Sequence, residues 1–428
     1  MAAAERPRRA TSSRSAARRH KTATDAVEPV ITIRMYNVGF GDCFLVRLPT
    51  ADGTRTMLID CGQHIGGIAN PMNSVLEDLI ASVTTNGTAH IDVVVATHRH
   101  FDHISGFDSK KWRTVSVGEV WMPWTEKRGD PAADALRHAQ HRLATALRAR
   151  FASHDTRIGW LALNSFGNAG AEQTLLKGFV GVEERRYLPA KARADRTFTT
   201  PMLPGVTVNA LGPSHDPDVI ADMTPPKEQV FNAGAAEPAA LTDDDVRRDP
   251  LFAPRMTLSP DAYAAAHPHL AEHADEKRVR TLAEEDLQGA AEGLEDAING
   301  TSLMLILELG DHVLLFAGDA EWPTWSEALA DPAWRELLAH TTVYKVSHHG
   351  SFNGSPTGFV DELLPDDAIS LMSFRPVKKW PSIPRKSLVT ALAAARRTLI
   401  RSDELPEPAP SLTRNGDLWV ELALPLHR

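Results

Sequence analysis

The chain has 428 residues, 43% apolar and 24% charged, which is material for a large core and excludes disorder as the main state. Its formal net charge is −9, but residues 1–26 carry seven Arg/Lys against Glu5 and Asp25, so the remainder is at −14 and lacks any global attraction to long polyanions. The greasiest run, 301–318, is broken by Glu308, Asp311 and His312, so no membrane-spanning segment is expected.

In chain order, residues 1–26 are Ala, Arg and Ser with almost no large apolar side chain, and read as a disordered basic tail. From residue 27 to 428 the pattern is that of one layered α/β domain. Short strands are expected at Val30 to Tyr36, Cys43 to Leu48, Thr56 to Asp60 and Ile91 to Thr97. The last is apolar without alternation, as in a strand buried on both faces. Helical periodicity marks Met72 to Val83, Pro131 to Ser153, Trp322 to Leu338 and Arg385 to Ile400. Residues 214–298, rich in Ala, Asp, Glu and Pro, read as an insertion with one helix, Val279 to Ala297. Its charged face (Glu284, Glu285, Asp286) is either solvated or a cover for the site. Cys43 and Cys61 are too few for a disulfide framework and fit a reducing, cytoplasmic compartment, with one bridge between them left open.

The segment His98-Arg99-His100-Phe101-Asp102-His103 follows the buried strand directly. Three imidazoles and a carboxylate in six residues are all metal-ligand types, and burying them without cations would be costly. His98 and His100, two residues apart, share a face, while Asp102 and His103 fall on the next turn, so the run can serve two adjacent metal sites.

This HxHxDH run resembles the signature of the metallo-β-lactamase superfamily. Leu58 to Gly62, Leu314 to Asp319 and Tyr344 to Ser351 follow the family's order. Val38 to Asp42, Asn299 to Ser302, Gly318-Asp319 and His348 to Ser351 are most similar to the ComEC-type hydrolase-domain branch, without its membrane channel. The resemblance implies a four-layer αββα sandwich. It also implies two divalent metal ions, zinc first, with manganese or iron as alternatives. His98 and His100 would hold the first ion, Asp102, His103 and His348 the second, and Asp319 would bridge both. Asp60 would orient a ligand, and a hydroxide shared by the two metals would be the nucleophile.

The first metal's third histidine is the departure, because only His215 is placed to supply it, and the open position is preferred. His349, beside a ligand, is the candidate acid or phosphate contact, with Asp102 the other catalytic candidate. Asp42 is a candidate supporting residue, and His64 a candidate for the site mouth. The Gly39-Phe40-Gly41-Asp42 loop reads as backbone room before phosphate binding. His267, His269 and His273 read as solvated before metal-binding, and the tail arginines as solvated before nucleic-acid-binding. The expected activity is hydrolysis of a small or short phosphodiester, with nucleic acid among the candidate substrates. An ester, lactone or lactam hydrolase and a metal-stabilised interaction module are the alternatives.

Overall fold

The computed structural model describes residues 29–150, 164, 168–216, 219–220, 225–231, 293–378 and 380–426. The basic tail, His267, His269, His273, Glu284 to Asp286 and most of the insertion lie outside the described residues. Of the insertion's expected helix, only residues from 293 onward are described, and residues 293–299 are helical.

Two sheets stack face to face. The first contains β1 (Val30–Tyr36), β2 (Cys43–Thr50), β3 (Gly53–Cys61), β4 (Thr84–Thr85), β5 (Thr88–Val95), β6 (Val115–Pro123), β7 (Glu184–Leu188), β15 (Leu412–Asn415) and β16 (Trp419–Pro425). Its order is β15-β16-β1-β2-β3-β5-β6-β7, with β4 paired to β5. The second contains β8 (Thr197–Phe198), β9 (Thr207–Gly212), β10 (Met304–Leu309), β11 (His312–Phe316), β12 (Val343–Lys345), β13 (Ile369–Met372) and β14 (Thr398–Arg401), ordered β14 through β8.

Side-chain alternation sorts the strands' apolar residues into separate cores. Ile31, Ile33, Phe44, Val46, Val93 and Val95 of the first sheet meet Val208, Leu305, Leu307, Leu314 and Phe316 of the second in the central layer. The opposite face of the first sheet packs Leu45, Leu58, Ile91 and Val94 under Val75, Leu76 and Leu79 of the helix Met72–Ser82. The outer face of the second packs Ile306, Leu315 and Tyr344 against Trp325, Trp334, Leu338, Leu388 and Leu392. The result is the four-layer αββα sandwich of metallo-β-lactamase-like folds. Val93 to Val95 are buried on both faces, which is why that strand shows no polar alternation.

Two expected helices are corrected. Trp322 to Leu338 is two helices, Trp322–Ala330 and Pro332–Leu338. Pro332 cannot continue the first ladder and pushes Asp331 out of helical geometry. Asp331 then caps the second helix, accepting from the N–H groups of Ala333 and Trp334. Arg385 to Ile400 is a helix only over Lys386–Leu392. The chain turns through Ala395 at φ 57°, and Thr398–Arg401 becomes the edge strand β14, parallel to β13. Cys43 and Cys61 face each other across β2 and β3 as free, buried thiols.

Candidate metal centre

The candidate site lies where β3, β5, β11 and β12 end. β3 delivers Asp60, held at φ 55°, and the segment after β5 delivers Thr97 to His100 in extended form. His100 then precedes the single turn of helix Phe101–Ile104, which turns Asp102 and His103 inward. This turn is pressed against glycine backbone. A Cβ on Gly62 would sit 2.4 Å from the Asp102 carbonyl carbon, and one on Gly41, at φ 143°, 2.6 Å from the Asp102 carbonyl oxygen. The Gly39-Phe40-Gly41-Asp42 loop thus provides close backbone approach, and Asp42 N–H donates to that same carbonyl oxygen (3.0 Å).

From the second sheet, β11 leads through Gly318, at φ 54°, to Asp319, and β12 leads to the His348-His349 pair. Both histidines are left-handed, at φ 46° and φ 50°, a conformation that costs on the order of 1–3 kcal/mol per non-glycine residue. The consecutive rings end 6.4 Å apart by centroid and face different surroundings. His349, not His348, joins Asp102, His103 and Asp319 in a buried group whose ligand atoms all lie within 4.8 Å of one another.

Hydrogen bonds orient this group. His349 Nδ1 donates to the Ser373 carbonyl oxygen (2.8 Å), and His103 Nδ1 donates to Asp60 Oδ2 (2.8 Å). Each ring therefore turns Nε2 toward the carboxylates. His103 Nε2 is 3.0 Å from Asp319 Oδ2, and His349 Nε2 is 3.3 Å from Asp102 Oδ2 and 3.5 Å from Asp319 Oδ2. None of these contacts is aligned as a hydrogen bond, so both Nε2 atoms are buried without such a partner, as is Asp102 Oδ1. Atoms aimed at a shared centre and not at one another are what a cation requires, and burying them unsatisfied is costly.

A second relay orients the other two histidines. The Thr97 hydroxyl donates to Asp60 Oδ2 (2.6 Å) and lies 3.2 Å from His98 Nδ1, while His98 Nε2 approaches His100 Nδ1 at 2.9 Å. The two rings are thus hydrogen-bonded to each other; two tetrahedral ligand atoms on one zinc, each at about 2.0–2.1 Å, would be about 3.3 Å apart, so an ion would take the place of this bond with a further separation of a few tenths of an ångström. The His98 and His103 rings are 4.1 Å apart by centroid, which puts the two groups side by side. The His100 ring's other nitrogen, Nε2, lies 3.5 Å from Glu295 Oε2, and Asn164 joins Glu295 Oε1 (3.0 Å) to Asp102 N–H (3.2 Å).

Electrostatics follow from burial and neighbours. Burial pushes the His100 imidazole down to about 3 and the His98 imidazole well below its usual range, keeping both neutral, as a ligand must be. Burial acts on His103 in the same direction, but Asp319, Asp102 and Asp60 hold it well above the usual range. Burial also opposes charge on Asp102 and Asp319, yet the surrounding imidazoles, with Lys345 for Asp319, hold both carboxyls below the usual range. Lys345 is buried, its ammonium 2.5 Å from Asp42 Oδ2, 2.7 Å from the Gly318 carbonyl oxygen and 3.2 Å from Asp319 Oδ1. Asp319 Oδ1 is thereby engaged, which leaves Oδ2 for the cluster.

His348 faces the other way. Its Nδ1 is 3.0 Å from Glu321 Oε1 and its Nε2 is 3.3 Å from Asn299 Nδ2. Its side chain is 14% exposed, whereas that of His349 is fully buried. Burial lowers the His348 pKa, but Glu321 and Asp319 outweigh that and raise it to about 9. His215 lies apart from the cluster, its ring stacked on Trp124 at 4.6 Å and its Nε2 3.0 Å from the Pro189 carbonyl oxygen. His64 packs on Trp380 (4.9 Å) beyond Phe40, whose ring touches His349 (4.4 Å).

Sequence reasoning gave no role to Lys345, Glu321, Asn299, Glu295 or Ser373. A lysine inside the apolar strand Val343 to Val346 was a usable signal. Glu295, in an Ala-rich helical stretch, carried none.

Residues 36–178 match the family model of the metallo-beta-lactamase superfamily. The matched span contains His98 to His103 and ends before Asp319, His348 and His349, whose association with that motif rests on the fold. No curated protein matches the chain. Among the described residues, no helix is long and apolar enough to cross a membrane.

Proposed function

We propose that this protein is a metal-dependent hydrolase of phosphodiesters, with His98 and His100 holding one divalent ion and Asp102, His103 and His349 a second. Asp319 Oδ2, 3.0 Å from His103 Nε2 and 3.5 Å from His349 Nε2, would be the ligand shared with the first ion. The observation that carries this reading is the pair of buried Nε2 atoms on His103 and His349, each within 3.5 Å of Asp319 Oδ2 yet without a hydrogen-bond partner. Bound divalent ions would polarise a phosphoryl oxygen and bring a water's pKa toward neutrality.

The chain's own residues do the rest. Asp60 and Ser373 fix ring orientations, and Lys345 restrains Asp319. His348, partly exposed and backed by Glu321, takes the substrate-facing role that the sequence reading gave to His349. Its side chain is 14% exposed, with Nδ1 beside Glu321 and Nε2 beside Asn299, and after a change of those contacts it would reach a phosphoryl oxygen or the leaving group. The preference for phosphodiesters is supported by the resemblance of 38–42, 299–302, 318–319 and 348–351 to the ComEC-type branch, and an all His/Asp donor set suits zinc, manganese or iron alike.

The test is metal analysis of the purified protein, coupled to turnover of bis-p-nitrophenyl phosphate, a short oligonucleotide, a lactone and a lactam. Two equivalents of metal and phosphodiester turnover are expected, with Asp102→Ala lowering turnover by about 1,000-fold or more. Turnover of the lactone or lactam alone would instead establish the ester or lactam alternative. Metal without turnover of any of the four would point to an interaction module.

A further inference from the structure

In a chain with 55 acidic residues, the segments 61–76, 337–360 and 368–402 contain no Asp or Glu, and the last holds eight Arg/Lys. The fold brings parts of all three together beside His349. Phe40 bridges them, its ring 4.4 Å from His349 and 4.9 Å from Trp380, and Phe40 N–H donates to the Gly67 carbonyl oxygen (2.8 Å). Arg385 N–H donates to the Gly350 carbonyl oxygen (2.9 Å), and the Arg375 guanidinium to that of Ile68. Two residues past Gly350, Phe352 is 42% exposed, and the Arg385 guanidinium lies 5.5 Å from its ring centroid. Arg375 and Lys378 are exposed on the same stretch.

An exposed aromatic ring next to a guanidinium, flanked by further cations on segments whose own sequence holds no Asp or Glu, combines a stacking platform with phosphate contacts. We propose that this lip binds an unpaired nucleotide of single-stranded nucleic acid, the base stacking on Phe352 and the adjoining phosphates meeting Arg375, Lys378 and Arg385. The proposal rests on the phosphodiester reading, since the lip adjoins His349 and would present the next linkage to the cluster. A duplex keeps its bases stacked internally and cannot use Phe352, and the −14 body would repel it over its length.

The test is fluorescence anisotropy of the metal-loaded full chain with a labelled oligothymidylate, an abasic strand of equal length and a duplex. Oligothymidylate should bind about 10-fold tighter than the abasic strand. Phe352→Ala should abolish that difference and Phe352→Trp restore it, while a double change of Arg375 and Arg385 to Ala should weaken both strands and flatten the salt dependence. Equal binding of oligothymidylate and abasic strand by the wild-type protein, or tighter binding of the duplex, would overturn the proposal. Turnover of bis-p-nitrophenyl phosphate by the same preparation reports on the hydrolase reading separately. Loss of base preference with turnover intact refutes only the lip, and base preference without turnover refutes only the hydrolase.

Discussion

The first sheet delivers four candidate ligands from six consecutive residues, His98 to His103, whereas the second delivers Asp319 and His349 from separate turns after β11 and β12. In the first case a short helical turn pressed on Gly41 and Gly62 sets the geometry, and rings and carboxylate are fixed together. In the second, each ligand depends on left-handed backbone, at Gly318 and at His348-His349, and on a partner such as Lys345 or Ser373. A contiguous motif reveals itself in sequence. A site half assembled from strained turns reveals its residues but not their directions.

The sharpest way to break this comparison is to change the two neighbouring histidines separately. His349→Ala removes a ligand of the buried group and should cost about one metal per chain and at least about 1,000-fold in turnover. His348→Ala leaves that group intact and should keep the metal while lowering turnover by about 10–100-fold, within the usual range for a single proton-transfer group. Elemental analysis and kcat on both variants decide this, and the reverse pattern would mean that His348 turns inward in solution.

Lys345→Met probes the second sheet's reliance on a buried partner. Removing the ammonium leaves Asp42 and Asp319 facing each other's charge without their common cation, and breaking a buried pair from one side costs about 3–5 kcal/mol. Chemical denaturation of the chelator-treated protein should show a loss of that size. A change below about 1 kcal/mol would mean that the carboxylates are neutral or otherwise satisfied.

The same contrast explains what could be read from the chain beforehand. The αββα class was legible because β5 is apolar on both faces and helical periodicity separates the strands. The ligand run was legible because ligand types crowd the end of that strand. The inward turn of His349 was not, since the two neighbours are chemically identical and their opposite directions follow from consecutive positive φ values that the residue types do not mark. Lys345, Glu321 and Glu295 were passed over because an isolated charge usually marks solvent, and the burial of the first two and the partial burial of Glu295 appear only when distant segments meet. The break at Asp331 was legible in principle from Pro332, but the helical period on either side masked it.

Glu295→Gln addresses the first sheet's half. Glu295 Oε2 lies 3.5 Å from His100 Nε2 without a hydrogen bond between them, and burial pushes the carboxyl up to about 8; a small closure would let Glu295 hold Nε2 and leave Nδ1 to the His98 side. Loss of such an outer partner typically weakens metal binding about 10–100-fold. Competition with a chromogenic chelator should show that weakening in one site, with little change in melting temperature. Unaltered affinity at both sites would show that Thr97 and the backbone alone orient the His98-His100 pair.

The smallest effect is expected at His215, the residue whose role the resemblance left open. Its ring lies nearly parallel to Trp124 (18° between planes), and its Nε2 is 3.0 Å from the Pro189 carbonyl oxygen, so both ring face and nitrogen are engaged away from His98 and His100. Burial also lowers its pKa, which favours a neutral ring that donates Nε2–H to that carbonyl. Recruiting it as a ligand would break that bond and the stack, at a cost of roughly 1–3 kcal/mol from the two contacts. His215→Ala should therefore leave metal stoichiometry unchanged and lower kcat less than tenfold. Loss of one metal equivalent would mean that the loop unstacks to complete a three-imidazole site when the ion binds, and that the open coordination position is absent.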